Sequence, residues 1–265
     1  MQQLGFKDVV EVAIGADLCT IDEAKDFLEK VPAQQPFMAT SCCPSWSMMA
    51  KKEFPEFKSY ISMALTPMVL TARLIKEKHP NSRVVFVGPC AAKKLEASRK
   101  SVRSEVDFVL TFEEIGAMFE AKGIDFASLK PDEADPFTQA SSDGRGFAVS
   151  GGVAKAVVNC IKAKEPEREV LVESAEGLAN CKKMLKLAKS GKYDGYLLEG
   201  MACPGGCVAG AGTLLPITRA TTAVKKYTNS SDKLNANDSK YKDYLERLIA
   251  VSYTHLRAHE TLRHL

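Results

Sequence analysis

Residues 83–94 read Arg-Val-Val-Phe-Val-Gly-Pro-Cys-Ala-Ala-Lys-Lys. The first five, Arg83–Val87, form a short run of β-branched and aromatic residues, as in a strand buried on both faces. Gly88 and Pro89 stop it, because proline supplies no ladder donor, and a cysteine, Cys90, follows in the turn. Three further runs share this character: Val106–Leu110, Glu169–Val172 and Asp194–Leu198. Amphipathic stretches with helix-start chemistry lie between them. Thr20 with Glu23, and Thr111 with Glu114, have capping-box spacing. Thr66 before Pro67 fits an N-cap followed by proline at the first helical position, and Gly123 and Gly191 are placed to end helices. Short strands alternating with helices specify an α/β fold.

The chain has 265 residues, 45% of them hydrophobic, enough for one sizeable core or two lobes around a cleft. Lys130–Gly146, rich in Pro, Asp and Ser, reads as a long loop, and Thr228–Ser239 has linker composition ahead of a last short helix at Lys240–Ile249. No internal repeat is visible. No run of about 18 apolar residues exists, so no membrane span is expected. The first residues lack the layout of a secretory signal, and a cytoplasmic location is expected. The net charge of +3 is spread without a basic block, which argues against nucleic-acid binding. Val251–Thr261 resembles the conceptual translation of a transposase-type sequencing adapter. The natural domain is therefore expected over residues 1–250, with residues 251–265 a non-native tail.

Eight cysteines without a signal peptide point to reduced thiols or metal ligands. Of four histidines, His255, His259 and His264 sit near the end and only His79 lies in the body. Any metal must then be held by thiolate. Five cysteines fall in three turns: Cys42 and Cys43 in TSCCPSW (40–46), Cys90 in GPCAAKK (88–94), and Cys203 and Cys207 in EGMACPGGC (199–207). Loops at the carboxyl ends of strands line the ligand crevice of open α/β sheets. Four thiolates suit zinc or an iron–sulfur cluster. An adjacent pair, a distant single and a C-x-x-x-C favour a cluster in a deep cleft. Neighbouring side chains diverge, so one of Cys42 and Cys43 is free for other chemistry. Cys19, Cys160 and Cys181 read as small core residues.

TSCCPSW, GPCAAKKLEA and EGMACPGGCVAGAG resemble the three signature motifs of the iron-only (FeFe) hydrogenases, and the likeness runs from about Gly5 to Pro216, through GADLCTIDEA (15–24) and ISMALTPM (61–68). This resemblance implies a two-lobed α/β domain of twisted, mainly parallel sheets flanked by helices, with the H-cluster in the cleft. That cofactor is a 4Fe–4S cubane joined to a diiron unit carrying CO, cyanide and azadithiolate. Position by position, it implies Cys43, Cys90, Cys203 and Cys207 as cubane ligands, with Cys207 bridging to the diiron unit. Cys42 becomes the proton donor and acceptor, Lys93 the partner of a cyanide, and Met201 a residue packed over the diiron site. Pro89 and Thr66 fall at further cofactor contacts, and Glu23, Ser62, Asp26 and Lys30 on the outward proton path. Glu23, Asp26 and Lys30 share one helical face, but a solvated face with Glu23 as a cap gives the same spacing.

The chain departs from the family at Gly88, usually methionine, at Thr66 and Met68, commonly Ser and Gln, and in GAGT (210–213), where GGGQP is frequent. These differences resemble a less-studied subgroup. The family's N-terminal segment and ferredoxin-like cysteines have no counterpart here, so the chain reads as incomplete at both ends. Electrons are expected from ferredoxin or a missing ferredoxin-like domain, and the diiron unit from maturation proteins. The activity implied is reversible oxidation of dihydrogen. The alternatives are a non-catalytic cluster-assembly factor, a relative that tends to lose the thiol at Cys42, or a hydrogen sensor.

Overall fold

A computed structural model of the chain describes residues 1–129 and 139–250. The expected tail at 251–265 and the first part of the expected loop, 130–138, lie outside the described residues. The first helix, α1 (Ala13–Lys30), is followed by β1 (Met38–Ala39), α2 (Pro44–Glu53), α3 (Pro67–Lys78), β2 (Val85–Val87), α4 (Ala92–Ser98), β3 (Phe108–Leu110) and α5 (Phe112–Ala121). After the undescribed segment come α6 (Ser142–Gly146), α7 (Gly152–Lys164), β4 (Leu171–Glu176), α8 (Leu178–Lys189), β5 (Tyr196–Met201) and α9 (Ile217–Thr228).

Two separate parallel sheets carry the α/β architecture. In one, the strand order is β1-β5-β4, with Met38 opposite Leu197 and Leu171 opposite Tyr196. In the other, β2 pairs with β3, Val85 opposite Phe108. Strands β2 to β5 sit within or overlap the four expected runs; β1 has only two residues, too few to show a period. Phe37, Trp46, Phe57, Ile61 and Leu198 pack on one side of the larger sheet, and Phe27, Met38, Val157 and Leu197 on the other. Among the described residues no helix is long and apolar enough to cross a membrane.

Helix α1 corrects one expectation. It begins seven residues before Thr20, so Thr20 and Glu23 form no capping box; the Thr20 hydroxyl donates instead to the Ala16 carbonyl at 2.9 Å. The apolar stripe carried by Ile14, Leu18 and Cys19 extends the helix backwards. Gly15 lets it meet α3 backbone to backbone, since a Cβ there would lie 2.2 Å from the Pro67 carbonyl oxygen. The second capping box forms as expected, with Thr111 accepting from the Glu114 amide at 3.2 Å and Glu114 from the Thr111 amide at 2.7 Å. Thr66 stands at the N-cap of α3 before Pro67, without a side-chain cap bond. Gly123 and Gly191 adopt φ of 68° and 79° just past α5 and α8.

Two polar segments are more ordered than their composition suggests. Residues 142–146, expected as loop, form α6, because Ser141 caps the Gly144 amide and buried Asp17 of α1 accepts from the Ser141 amide at 2.9 Å. Residues 228–239, expected as linker, pack against the body: Ala236 is buried, and Asn237 exchanges hydrogen bonds with Cys160 at 3.1 and 3.5 Å. The last expected helix runs from a 3-10 turn at Lys242–Tyr244 into helix at 245–250, anchored where buried Arg73 donates to the Leu248 carbonyl.

Candidate metal centre

Each of the three cysteine turns leaves the carboxyl end of a strand. Cys43 is the N-cap of α2, just after β1, and its extended backbone turns the chain into the helix. Cys90 follows β2 and precedes α4, and Cys203 and Cys207 follow β5. Parallel pairing of β1 with β5 puts the first and third turns at one end of their sheet, and the Cys90 turn, from the other sheet, joins them through contacts with the third.

Close glycine contacts lock the turns to one another. A Cβ on Gly200 would lie 2.2 Å from the Trp46 ring, which packs β5 on the first turn. Trp46 itself closes that turn by donating from Nε1 to the Thr40 carbonyl at 2.9 Å. The third turn sits on the second: the Gly212 amide donates to the Pro89 carbonyl at 2.9 Å, and a Cβ on Gly210 would reach within 2.4 Å of the same oxygen. Sequence reasoning passed over Trp46, Gly200 and Gly210, although all three lie inside the cysteine motifs.

The thiols interact electrostatically as one group. Burial, then Cys43, Cys90 and Cys203, push the Cys207 thiol up to about 12, with Lys93 opposing. Burial, Cys43 and Cys90 raise Cys203 in the same way. All eight cysteines are free thiols. Among the described residues, no three His, Cys, Asp or Glu side chains stand close enough to hold a single metal ion. A zinc ion with bonds of about 2.3 Å needs its sulfurs about 3.8 Å apart. Cys203 and Cys207 both sense Cys43 and Cys90 without that close grouping, which fits a multi-atom iron–sulfur group better than one ion. Thr66 points the same way, because its buried Oγ1 has no hydrogen-bond partner in the protein.

Cys42 lies in the same cluster of packed side chains as Met201, which is buried. Burial raises the Cys42 thiol well above its usual pKa, and Glu23, Glu199 and Cys43 raise it further. Lys93 is buried, with its Nζ 2.6 Å from Glu96 Oε2 and donating to the Cys42 carbonyl at 3.2 Å. Burial works against its charge, but Glu96 and the thiols outweigh burial and raise its pKa.

Glu23 is fully buried, and Oε1 accepts from the Ser41 amide at 3.3 Å. Burial pushes its pKa up to about 8, with the Ser41 amide and the Ser62 hydroxyl opposing and Asp22 and Glu199 adding to the rise. Ser62 faces this carboxyl, yet Oε2 completes no hydrogen bond of ordinary geometry. One turn further along α1, Asp26 is partly exposed and paired with Lys30 at 2.7 Å. The structure thus sets Glu23 inside and the Asp26–Lys30 pair nearer the surface. Glu199 is a further buried carboxylate that the sequence did not single out. It accepts from the Gly151 and Ala154 amides at 2.8 and 2.7 Å, capping α7.

The other three cysteines are buried and lie outside the three turns in sequence. Cys160 bonds Asn237, and Cys181 donates to the Ala175 and Met201 carbonyls. Cys19 lies on α1, where Glu23 and Cys42 both raise its pKa after burial does.

Residues 1–211 match the family described as the C-terminal domain of the iron only hydrogenase large subunit. The chain is 30% identical to iron hydrogenase 1 of Clostridium pasteurianum over 80% of its length and 44% of that protein's. It is 29% identical to the periplasmic Fe hydrogenase large subunit of Nitratidesulfovibrio vulgaris, over 80% of this chain and 60% of that one. The cytosolic iron-sulfur assembly component 3 of Rattus norvegicus is 27% identical, over 80% and 55%. The chain therefore spans about half the length of the curated relatives it matches. Among solved structures, an FeFe-hydrogenase HydA described for stepwise H-cluster assembly superposes with a TM-score of 0.72 at 24% identity, covering 92% of this chain and 80% of that one. A variant of the FeFe-hydrogenase HydA1 from Chlamydomonas reinhardtii gives 0.68 at 23%, covering 95% and 81%. At such identity the superpositions establish the fold alone.

Proposed function

The chain belongs to the iron-only hydrogenase family, in the C-terminal domain of its large subunit, and from that premise we propose that it is an iron–sulfur oxidoreductase that reversibly oxidises dihydrogen. The observation that carries the proposal is the Cys42 thiol, enclosed beside buried Glu23 and next to the four-thiol group. Cys43, Cys90, Cys203 and Cys207 would hold a 4Fe–4S cubane, with Cys207 shared to a diiron unit carrying CO, cyanide and azadithiolate. When bound, this cofactor exchanges electrons and makes or splits dihydrogen.

The chain's own residues bind, shield and move the proton. Cys42 Sγ, kept protonated by its surroundings, is the donor and acceptor facing the cofactor. Glu23, with a pKa of about 8, sits near the working range of a proton relay at neutral pH. Ser62, which faces the Glu23 carboxyl, would carry the path on toward Asp26, whose pairing with Lys30 would give it a charged mouth. Lys93 places a buried cation beside the thiols, suited to an anionic cyanide ligand. Met201 would exclude water, and the Thr66 hydroxyl, unpaired in the protein, and the Pro89 turn would complete the cofactor contacts. Electrons would come from ferredoxin or a ferredoxin-like domain, and the diiron unit from maturation proteins, in the cytoplasm.

The test is Cys42→Ser in matured protein, which should leave cluster absorption intact and abolish most hydrogen turnover; unchanged turnover would remove Cys42 from the mechanism. A second reading, a non-catalytic cluster-assembly protein, is favoured by the comparable similarity to the rat assembly component. Infrared bands of CO and cyanide after maturation separate the two: their presence supports the hydrogenase, and a cubane alone supports the assembly protein.

A further inference from the structure

Helix α4 turns unexpected side chains inward. Its buried residues are Lys93 and Glu96, while Leu95, between them in sequence, is 49% exposed. Lys93 and Glu96 stand one turn apart on one helical face. Lys93 Nζ is 2.6 Å from Glu96 Oε2, with the two side chains 11% and 8% exposed. The same Nζ reaches the first cysteine turn, donating to the Cys42 carbonyl at 3.2 Å. The neighbouring pair, Lys94 with Glu114, lies at the surface.

Helix stability does not account for this inversion. Taking two charges out of water is costly, and an apolar pair of similar volume is often as stable or more so. An apolar residue, Leu95, is present on the same helix and is left outside. The buried pair is therefore explained by what it does at the site. Lys93 has a task there as a cation beside the thiols, but Glu96 has none assigned. A lysine is a point charge on a flexible four-carbon stem, so its direction is set by what accepts from it. Here the acceptors are the Cys42 carbonyl and Glu96, and Glu96 is also the largest influence that restores the Lys93 charge against burial.

We infer that Glu96 is the positioning residue for Lys93: it holds the ammonium at the Cys42 carbonyl and offsets part of the positive charge that the site feels. The inference rests on the iron–sulfur reading above and adds what aims and moderates its buried lysine. Glu96 is six residues past Cys90, about 10 Å along the chain at about 1.5 Å per helical residue. Through an effective dielectric of about 20, one charge at that distance changes a one-electron equilibrium about tenfold, or about 59 mV. Removing the Glu96 charge leaves Lys93 unopposed, which favours the added electron, so the cubane potential should rise.

The test is Glu96→Gln in matured protein, which keeps the shape and an acceptor oxygen but not the charge. The cubane midpoint potential, titrated with electron paramagnetic resonance, should rise by about 59 mV, and the infrared bands of cyanide should shift. Glu96→Asp, which retains the charge, should return most of the parent potential. Glu114→Gln removes the same charge from the exposed pair and should leave potential and bands as in the parent. An unchanged potential in Glu96→Gln, or an equal rise in Glu114→Gln, overturns the inference. If Glu96→Gln binds no cubane and Glu96→Asp binds one at the parent potential, the need for the charge is upheld; loss of the cubane in both means a packing role and overturns it. A parent with a cubane but no CO or cyanide bands fails the hydrogenase reading and leaves the potential comparison intact. If the parent takes up no cubane, the iron–sulfur reading has failed separately, and Lys93 decides alone. Its reductive methylation in metal-free protein, read by peptide mass spectrometry, should rise at least about tenfold in Glu96→Gln; equal labelling overturns the inference.

Discussion

Glu23→Gln separates a buried proton-carrying acid from a helix cap by its pH dependence. The folded protein holds the Glu23 proton to about pH 8, whereas an unfolded chain releases it near 4.5. A raised folded pKa means that folding retains a proton across this window. Stability from this group is therefore complete below about pH 4.5, falls as pH rises, and levels off above about 8. At about 1.4 kcal/mol per pKa unit, ionisation in the unfolded chain lowers stability by about 1 kcal/mol at pH 5 and about 4 kcal/mol at pH 8. Glutamine has the same shape and an oxygen for the Ser41 amide, but no titration.

The gap between the variant and the parent should thus move by about 3 to 4 kcal/mol in favour of glutamine between pH 5 and pH 8. Urea unfolding under anaerobic conditions at pH 5, 6, 7 and 8 measures it, below the range in which unfolded thiols ionise. In matured protein the same variant should lose about 100-fold or more in turnover, the usual scale for a removed proton-transfer group. Parallel stability–pH curves for the two proteins would refute the reasoning, because they would mean that Glu23 ionises in the fold as freely as outside it.

Thr20→Ala should cost under about 0.5 kcal/mol, because its hydroxyl only back-bonds within α1, whereas Thr111→Ala should cost about 1 kcal/mol through loss of a real cap; chemical denaturation compares them. Arg145→Met should destabilise by about 3 kcal/mol, since it removes the cation 2.7 Å from Glu11, whose side chain is 7% exposed, and leaves that carboxylate only the Tyr227 hydroxyl. Gly200→Ala should cost at least about 1–3 kcal/mol by driving a methyl into the Trp46 ring. Trp46 is the only tryptophan, so its fluorescence should shift in the folded state.

Strands before the second and third cysteine turns were legible because short apolar runs, RVVFV and YLL, led into a glycine within one or two residues. Thr111–Glu114 was legible because a capping box is a local device that four residues determine. The same four-residue spacing misled at Thr20–Glu23. Threonine inside a helix can satisfy its hydroxyl on the carbonyl four residues back, and the true start lay in Ala13 and Ile14, which have no cap chemistry. Helix α6 escaped notice because its stabilising partner, Asp17, is 124 residues distant in sequence. Residues 228–239 looked like a linker because their Asn and Ser side chains bond to backbone and to Cys160, contacts that composition does not reveal. Glu199 was hidden for a related reason: its role as a cap on α7 joins two elements 45 residues apart.

Burial also defines what the site lacks. Burial, then Glu23 and Glu199, raise the Cys42 thiol; burial, then Cys43 and Cys90, raise Cys203 and Cys207; and Lys93, itself paired to Glu96, opposes the rise at Cys42 and Cys207. These three thiols are therefore harder to ionise in the folded chain than in water. On the proposed function, a cationic iron–sulfur core would reverse that balance by taking thiolates as ligands while their protons leave to solvent. Trp46 against Gly200, and Gly210 against Pro89, fix the three turns to one another. Burial thus raises the Cys42 thiol and the Glu23 carboxyl together with Cys203 and Cys207, so that each of the four holds its proton more tightly than in water.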